Sequence, residues 1–266
     1  MKRTHSTAAL LLAVFLSMAS VGWAQTQSGD TWRWSGKLNA DQLLQIKNFN
    51  GAIEADGIQG DTIEVVAEKS GEDKDQVRVE MVNGPEGVTI CAVYPGHGNT
   101  CQAGSGYHQE VHDVHAKVNF TVKIPRNLRL DASTVNGKVR AENLGRVAKA
   151  SSVNGSVTVS TEAWARASSV NGSVSVRMGR ADWDGTLKIA SVNGSIELEV
   201  PSNMSTDVHF SSVNGSLDTD LPMTITRSSG RWGPKNVEGR IGNGGRELDV
   251  KTVNGSLHIR TGRESI

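Results

Sequence analysis

The chain has 266 residues, and its 28 Lys and Arg are balanced by 28 Asp and Glu. A nucleic-acid binder normally shows a basic face, so near-neutrality excludes that class of partner. Twenty-nine glycines against 5% aromatic residues suit many short strands and turns better than helices.

Lys2 and Arg3 precede an apolar run over residues 8–21, and Gly22-Trp23-Ala24 closes it with small residues at the −3 and −1 positions. That is the layout of a secretory signal peptide cleaved after Ala24. The run is shorter than the roughly 18–20 residues a spanning helix needs. No Cys stands at the cleavage site for lipid attachment, and no later stretch is apolar enough to span a membrane. The expectation is an exported protein, periplasmic or at the cell surface, with a disordered leader over residues 25–30.

Residues 31–126 read as an N-terminal β region. TWRWSGKL, QLLQIKNF, GAIEAD, DTIEVVAEK, QVRVEMV and VTICAVY alternate or cluster apolar residues and are broken by Gly, Asp and Asn turns. Residues 95–107 are a Gly-rich excursion, the expected exposed loop. Cys91 precedes it and Cys101 lies within it, and in an exported protein a disulfide is their default state. Closing a loop of this size contributes on the order of 2–3 kcal/mol in the chain-entropy model.

His97, His108, His112 and His115 follow closely. Histidines beside cysteines are the ligand types of zinc or copper. Oxidised cysteines would not ligate, and His108 and His112 would converge only on a helix. Residues 111–124 alternate like a strand instead, placing His112 on the face of Val114, Ala116 and Val118. The expectation is a polar loop with a partly buried histidine, and no metal or other cofactor.

From residue 127 to 266 internal repetition dominates. STVNGKV, SSVNGSV (twice), ASVNGSI, SSVNGSL and KTVNGSL place Asn-Gly pairs at Asn136-Gly137, Asn154-Gly155, Asn171-Gly172, Asn193-Gly194, Asn214-Gly215 and Asn254-Gly255. NFNGAI at 48–53 is an early relative, and Gly242-Asn243-Gly244 is a degenerate one. Four and six residues before each Asn, and three and five after it, the positions are almost all apolar, for example Leu187, Ile189, Ile196 and Leu198 around Asn193. Period two on both sides of the turn is the signature of half-buried strands.

Asn and Gly tolerate positive φ, which is the expected reason for the pair. A two-residue hairpin loop would satisfy this parity and give an antiparallel meander. A β-solenoid satisfies it too, and identical Ser-Val-Asn-Gly-Ser units gain most when each stacks on its own copy. The fold expected is therefore all-β and solenoid-like, with the Asn254-Gly255 coil terminal and neighboured on one side only.

The serial VNGS and VNGK turns, the strand HAKVNFTVKIPRNLRLDASTVNG (115–137) and the ending IGNGGRELDVKTVNGSLHIR (241–260) resemble the bacterial DUF4097 family. Its members carry the label "putative adhesin" and are similar to the head domain of autotransporter adhesins. The resemblance implies a β-solenoid-like fold, an exported location and no established catalytic activity. The Cys91–Cys101 loop and its histidines are not part of that pattern.

Enzymatic alternatives have few residues to rest on. A β-helix polysaccharide lyase or hydrolase needs clustered acids beside a Lys or Arg. Asp182 and Asp184 flank Trp183, and Asp218 and Asp220 follow a repeat, but both pairs occupy turn or outward positions. No GxSxG, P-loop or HExxH occurs. Trp164, Trp183 and Trp232 are candidate ligand contacts. The sequence thus points to a non-catalytic envelope module, adhesin-like or structural. Its partner would be an envelope protein or a glycan, with no transmembrane segment once the signal is removed.

Overall fold

The computed structural model describes residues 24–104, 108–230 and 235–262. The expected signal peptide lies, apart from Ala24, outside the described residues, as does Trp232. The N-terminal strands are β1 (Ala24–Ser28), β2 (Thr31–Gly36), β3 (Leu43–Lys47), β4 (Ile53–Ile58), β5 (Ile63–Gly71), β6 (Arg78–Gly84), β7 (Gly87–Val93) and β8 (Ala116–Pro125). The repeats supply β9 (Arg129–Asn136), β10 (Val139–Leu144), β11 (Ala148–Asn154), β12 (Val157–Thr161), β13 (Ala165–Asn171), β14 (Val174–Met178), β15 (Thr186–Asn193) and β16 (Ile196–Val200). The remainder are β17 (Thr206–Ser212), β18 (Leu217–Thr219), β19 (Met223–Ser229), β20 (Lys235–Ile241), β21 (Arg246–Lys251) and β22 (Leu257–Thr261).

These strands form two sheets of 11. Sheet A runs β1-β2-β5-β8-β4-β10-β12-β14-β16-β22-β18, and sheet B runs β19-β20-β17-β21-β15-β13-β11-β9-β3-β7-β6. Each Asn-Gly turn carries the chain from a strand of sheet B to one of sheet A, and like strands pair in parallel, as β9 with β11 and β10 with β12. This is the solenoid-like alternative, not the meander. The alternation places the core as expected: Leu187, Ile189, Ile196 and Leu198 are all buried, as are their equivalents in the neighbouring coils.

Four expectations are corrected. Residues 25–30 are not a disordered leader: most of them belong to β1, which pairs antiparallel with β2. The coil of Asn254 is not terminal either. β21 lies between β15 and β17, and β22 between β16 and β18, so Asn254 stacks between Asn193 and Asn214. The physical cause is the edge. β20 returns antiparallel along β17 and β19 along β20, covering backbone groups that a bare parallel end would expose. At the other end β6 and β5 cap β7 and β8 in the same antiparallel way.

The third correction concerns Gly242-Asn243-Gly244, which is a tight turn between β20 and β21 rather than a coil corner. Gly242 and Gly244 have φ of 58° and 71° there. The fourth concerns the corners themselves. Of the six repeat glycines Gly137 alone has positive φ, at 157°; Gly155, Gly172, Gly194, Gly215 and Gly255 do not, and neither do the six repeat asparagines. Glycine is required because the coils approach too closely for a side chain. A Cβ on Gly172 would stand 2.3 Å from the Gly155 carbonyl oxygen, and one on Gly255 would stand 2.1 Å from that of Gly194.

The asparagines have a role of their own. Asn154 Nδ2 donates to Asn136 Oδ1 at 2.8 Å, Asn171 to Asn154 at 2.9 Å, and Asn193 to Asn171, Asn254 to Asn193 and Asn214 to Asn254 at 2.8 Å each. Just inside this ladder, Ser152, Ser169 and Ser191 donate to the Gly137, Gly155 and Gly172 carbonyls. Asn171→Asp therefore removes a donor and sets a carboxylate oxygen against Asn154 Oδ1. At neutral pH it should cost about 1 kcal/mol. The loss should shrink on acidification, because the protonated acid can donate again and the folded state binds that proton more tightly than the unfolded chain. Urea denaturation across pH checks this, and a wild-type midpoint at pH 7 would remove the ladder from the account.

Candidate functional site

Sheet B turns its second set of alternating residues outward. In β11, β13 and β15 these are Lys149, Ser151 and Val153; Arg166, Ser168 and Val170; and Lys188, Ala190 and Val192. Parallel register puts Lys149 beside Arg166 and Ser151 beside Ser168, while Ala190 lies beside Ser168. The face therefore carries a column of cations, a column of small side chains and a column of valines, each running along the solenoid axis.

Asp131 of β9 neighbours Lys149, and Asp249 of β21 neighbours Lys188, so a carboxylate bounds the cation column at each end. Asp249 is engaged by Lys251 at 2.9 Å. The Arg166 guanidinium lies 5.5 Å above the Trp164 ring. Among the described residues Lys188 has no ion-pair partner.

Toward the N-terminal coils this face is walled. The Cys91–Cys101 disulfide forms as expected, and with Val93 and Val82 it makes a small apolar cluster separate from the core. The loop it pins reaches over β3: the Gly104 N–H donates to Gln45 Oε1 at 3.0 Å, and Thr89 Oγ1 donates to the same oxygen at 2.7 Å. Pro85 and Glu86, between β6 and β7, supply another side of the resulting cleft of about 360 Å³.

Lys47 and Asp131 lie at the floor of this cleft, with side chains 10% and 9% exposed. Asp131 Oδ2 receives Lys47 Nζ and Lys149 Nζ at 3.2 Å and Gln45 Nε2 at 3.4 Å. Burial holds the Lys47 ammonium below its ordinary value, and the Asp131 carboxylate opposes that shift. None of Gln45, Lys47, Asp131 or Lys149 stood out in the sequence. Gln45 and Asp131 are 86 residues apart, and no local motif marks them. The one signal that could have found them was a carboxylate and lysines at outward positions of strands otherwise filled by Ser and Thr.

Asp131→Asn tests the pair. It removes the charge that supports the buried ammonium, so the folded state should release the Lys47 proton at lower pH still. The unfolded chain keeps that proton up to the ordinary lysine value of 10.5. Between these two values the unfolded state binds more protons, and stability rises with pH. The variant should be less stable than the wild type at neutral pH, with the gap closing toward about pH 10. Urea midpoints measured across that range check it, and a gap that stays constant would point away from Lys47.

The other sequence candidates are scattered. His97, His108, His112 and His115 are all exposed. β8 begins only at Ala116, so His112 lies ahead of the strand and is not partly buried on its inner face. His112 Nε2 stands 3.3 Å from Glu110, and the His115 backbone N–H donates to Asp73. Among the described residues no three His, Cys, Asp or Glu gather as metal ligands. Trp183 is buried, its indole N–H donating to the Glu247 carbonyl at 2.9 Å, so it is a core residue rather than a contact platform. Trp164 is half-buried at the border of the cation column. Asp182 pairs with Arg180 in the loop before β15, and Asp218 with His258 on sheet A. The two acid pairs belong to different elements.

The model of the family described as Toastrack DUF4097 matches residues 24–260. The chain belongs to the DUF4097 family. No curated protein matches it. Among solved structures, this DUF4097 protein is similar to a "putative cell adhesion protein" from Clostridium sporogenes, 9% identical over 86% of this chain and 99% of that one, with a TM-score of 0.46. It is also similar to a "putative adhesin" from Bacteroides fragilis, 12% identical over 88% and 98% of the two chains, with a TM-score of 0.36. A "putative lipid binding protein" from Parabacteroides distasonis is 12% identical over 88% and 98%, with a TM-score of 0.25.

Proposed function

We propose that this DUF4097 protein is an exported, non-catalytic binding module that receives an envelope or surface partner on the outer face of sheet B. The observation that carries this reading is the regularity of that face: three chemically distinct columns repeat over adjacent coils beside a walled cleft. Structure alone needs the inner positions to repeat, since they form the core. It does not need exposed cations and valines to repeat as well. Export is supported by the signal-peptide layout of residues 1–24 and by the disulfide, a bond that persists in oxidising compartments. Among the described residues no helix is long and apolar enough to cross a membrane.

Two measurements test this. Intact mass of protein from the envelope fraction should correspond to a chain beginning at Gln25 with Cys91 and Cys101 joined. A mass retaining residues 1–24, or two free thiols, would overturn the export reading. Affinity electrophoresis through gels containing purified surface polysaccharides should show retardation without release of reducing or unsaturated ends, and Arg166→Glu/Lys188→Glu should abolish the retardation. Product release would favour a carbohydrate-active enzyme. Retardation unchanged by the double variant would remove sheet B from the proposal.

A further inference from the structure

The three columns can be read for the chemistry they fit, which rests on the binding-module reading above. Neighbouring strands lie about 4.8 Å apart, so Lys149, Arg166 and Lys188 present one cation per coil at that interval. β11, β13 and β15 are hydrogen-bonded to neighbours on both sides. They offer a ligand side chains and no free backbone, which excludes recognition by strand addition. On β3, β9, β11, β13, β15 and β21 the outward Lys47, Lys149, Arg166, Lys188 and Lys251 outnumber the carboxylates of Asp131, Glu247 and Asp249. The chain as a whole is neutral, so the surplus is local, and the complementary partner is anionic.

We propose that this face holds a linear polysaccharide carrying one carboxylate per sugar, laid along the solenoid axis. Each sugar of such a chain has a carboxylate, hydroxyls and a face of C–H groups. In β11 and β13 the protein sets a cation, a serine and a valine in that order, Arg166-Ser168-Val170 being the central example, and β15 has Ala190 at the serine position. Arginine's planar fork suits a carboxylate, a serine hydroxyl both donates and accepts, and the valine methyls cover C–H surface. A pyranose of an extended chain is comparable in length to the strand spacing, so successive sugars meet successive coils.

One cation per coil matches one negative charge per sugar, whereas a multiply sulfated sugar would leave charge uncompensated. A bilayer fits less well. Val153, Val170 and Val192 are only 37–38% exposed and, standing on strands paired on both sides, are too short to enter hydrocarbon.

The test uses the mature, disulfide-bonded protein and isothermal titration with oligogalacturonate. Dextran, poly-glutamate and vesicles of phosphatidylglycerol with phosphatidylcholine are the comparison probes. Oligogalacturonate should bind and weaken with added salt. Lys149→Gln/Arg166→Gln/Lys188→Gln should weaken it about ten-fold or more. Arg140→Gln/Arg177→Gln/Arg260→Gln removes the same charge from sheet A and should leave binding near that of the wild type. Thermal midpoints show whether both variants are folded. If the first triple variant is not, Lys188→Gln alone, which breaks no ion pair, should still weaken binding.

Equal binding of dextran would overturn the anionic assignment while leaving a glycan-binding module. Binding to vesicles or poly-glutamate at or above the strength of oligogalacturonate would overturn the polysaccharide and leave the binding module with another partner. Equal loss in the two triple variants would show that net charge acts and this face does not. No binding of oligogalacturonate also overturns the proposal. The broader reading falls only if the surface-polysaccharide gels show no retardation either.

Discussion

Gly172→Val should destabilise the fold by about 3 kcal/mol, the upper part of the range for forcing extra atoms into a packed site. Its Cβ would lie 2.3 Å from the Gly155 carbonyl oxygen and 2.8 Å from the Ser156 nitrogen, both backbone atoms of the adjacent coil. No rotamer relieves a clash with backbone. The coils must part, and the Gly155 N–H to Asn171 O bond and the Ser169 Oγ to Gly155 O bond lie at that junction. Gly255→Val should cost about as much, because its coil is sandwiched in the stack although it is the last in sequence. Urea denaturation of the two variants beside the wild type decides the matter. A wild-type midpoint for Gly172→Val would defeat the close-approach account. A much smaller loss at Gly255 would show that the last coil is peripheral after all.

Phe210→Ala should cost about 3–5 kcal/mol. Phe210 is 1% exposed and stands in register between Val237 of β20 and Val250 of β21. Truncation opens a cavity where the antiparallel cap meets the last parallel coil, and strands hydrogen-bonded on both sides can collapse into it only partly. Leu187→Ala, also buried, should fall at about 2–5 kcal/mol. Glu197→Ala, on the outer face of sheet A with an exposed partner in Arg260, should cost less than about 0.5 kcal/mol. Equal losses at the three positions would show that the inward and outward sets have been assigned wrongly.

Much of this molecule is legible in its amino-acid sequence. The period-two alternation around each Asn-Gly pair fixes which residues face inward, because side chains of a strand alternate sides whatever the strand pairs with. Leu130, Ala148, Ala165, Leu187, Val208 and Leu248 are buried as that parity requires. The near-identity of the turns also indicates stacking of like on like, which the asparagine ladder realises. The Cys91–Cys101 bond follows from two cysteines beside an export-type leader.

Other features depend on which strand lies beside which, and no local pattern encodes that. Every VNG coil presents an apolar inner face, so no local pattern says which coil stacks on which. The antiparallel strands β19 and β20 close one end and turn the last coil inward, between Asn193 and Asn214. Glycine at the corner looks like a demand for positive φ, since a single chain shows only its own conformation. The carbonyl that excludes a Cβ belongs to the neighbouring coil. Trp183 looks exposed between two aspartates, yet the gap it fills opens only when β21 lies beside β15. The cleft over Lys47 and Asp131 has the same origin: β3 and β9 become neighbours although β4 to β8 intervene in the chain, and a disulfide-pinned loop from β7 roofs them. Local periodicity determined the faces of the strands, and long-range pairing, driven by the cost of unpaired edges, decided their order and the shape of the site.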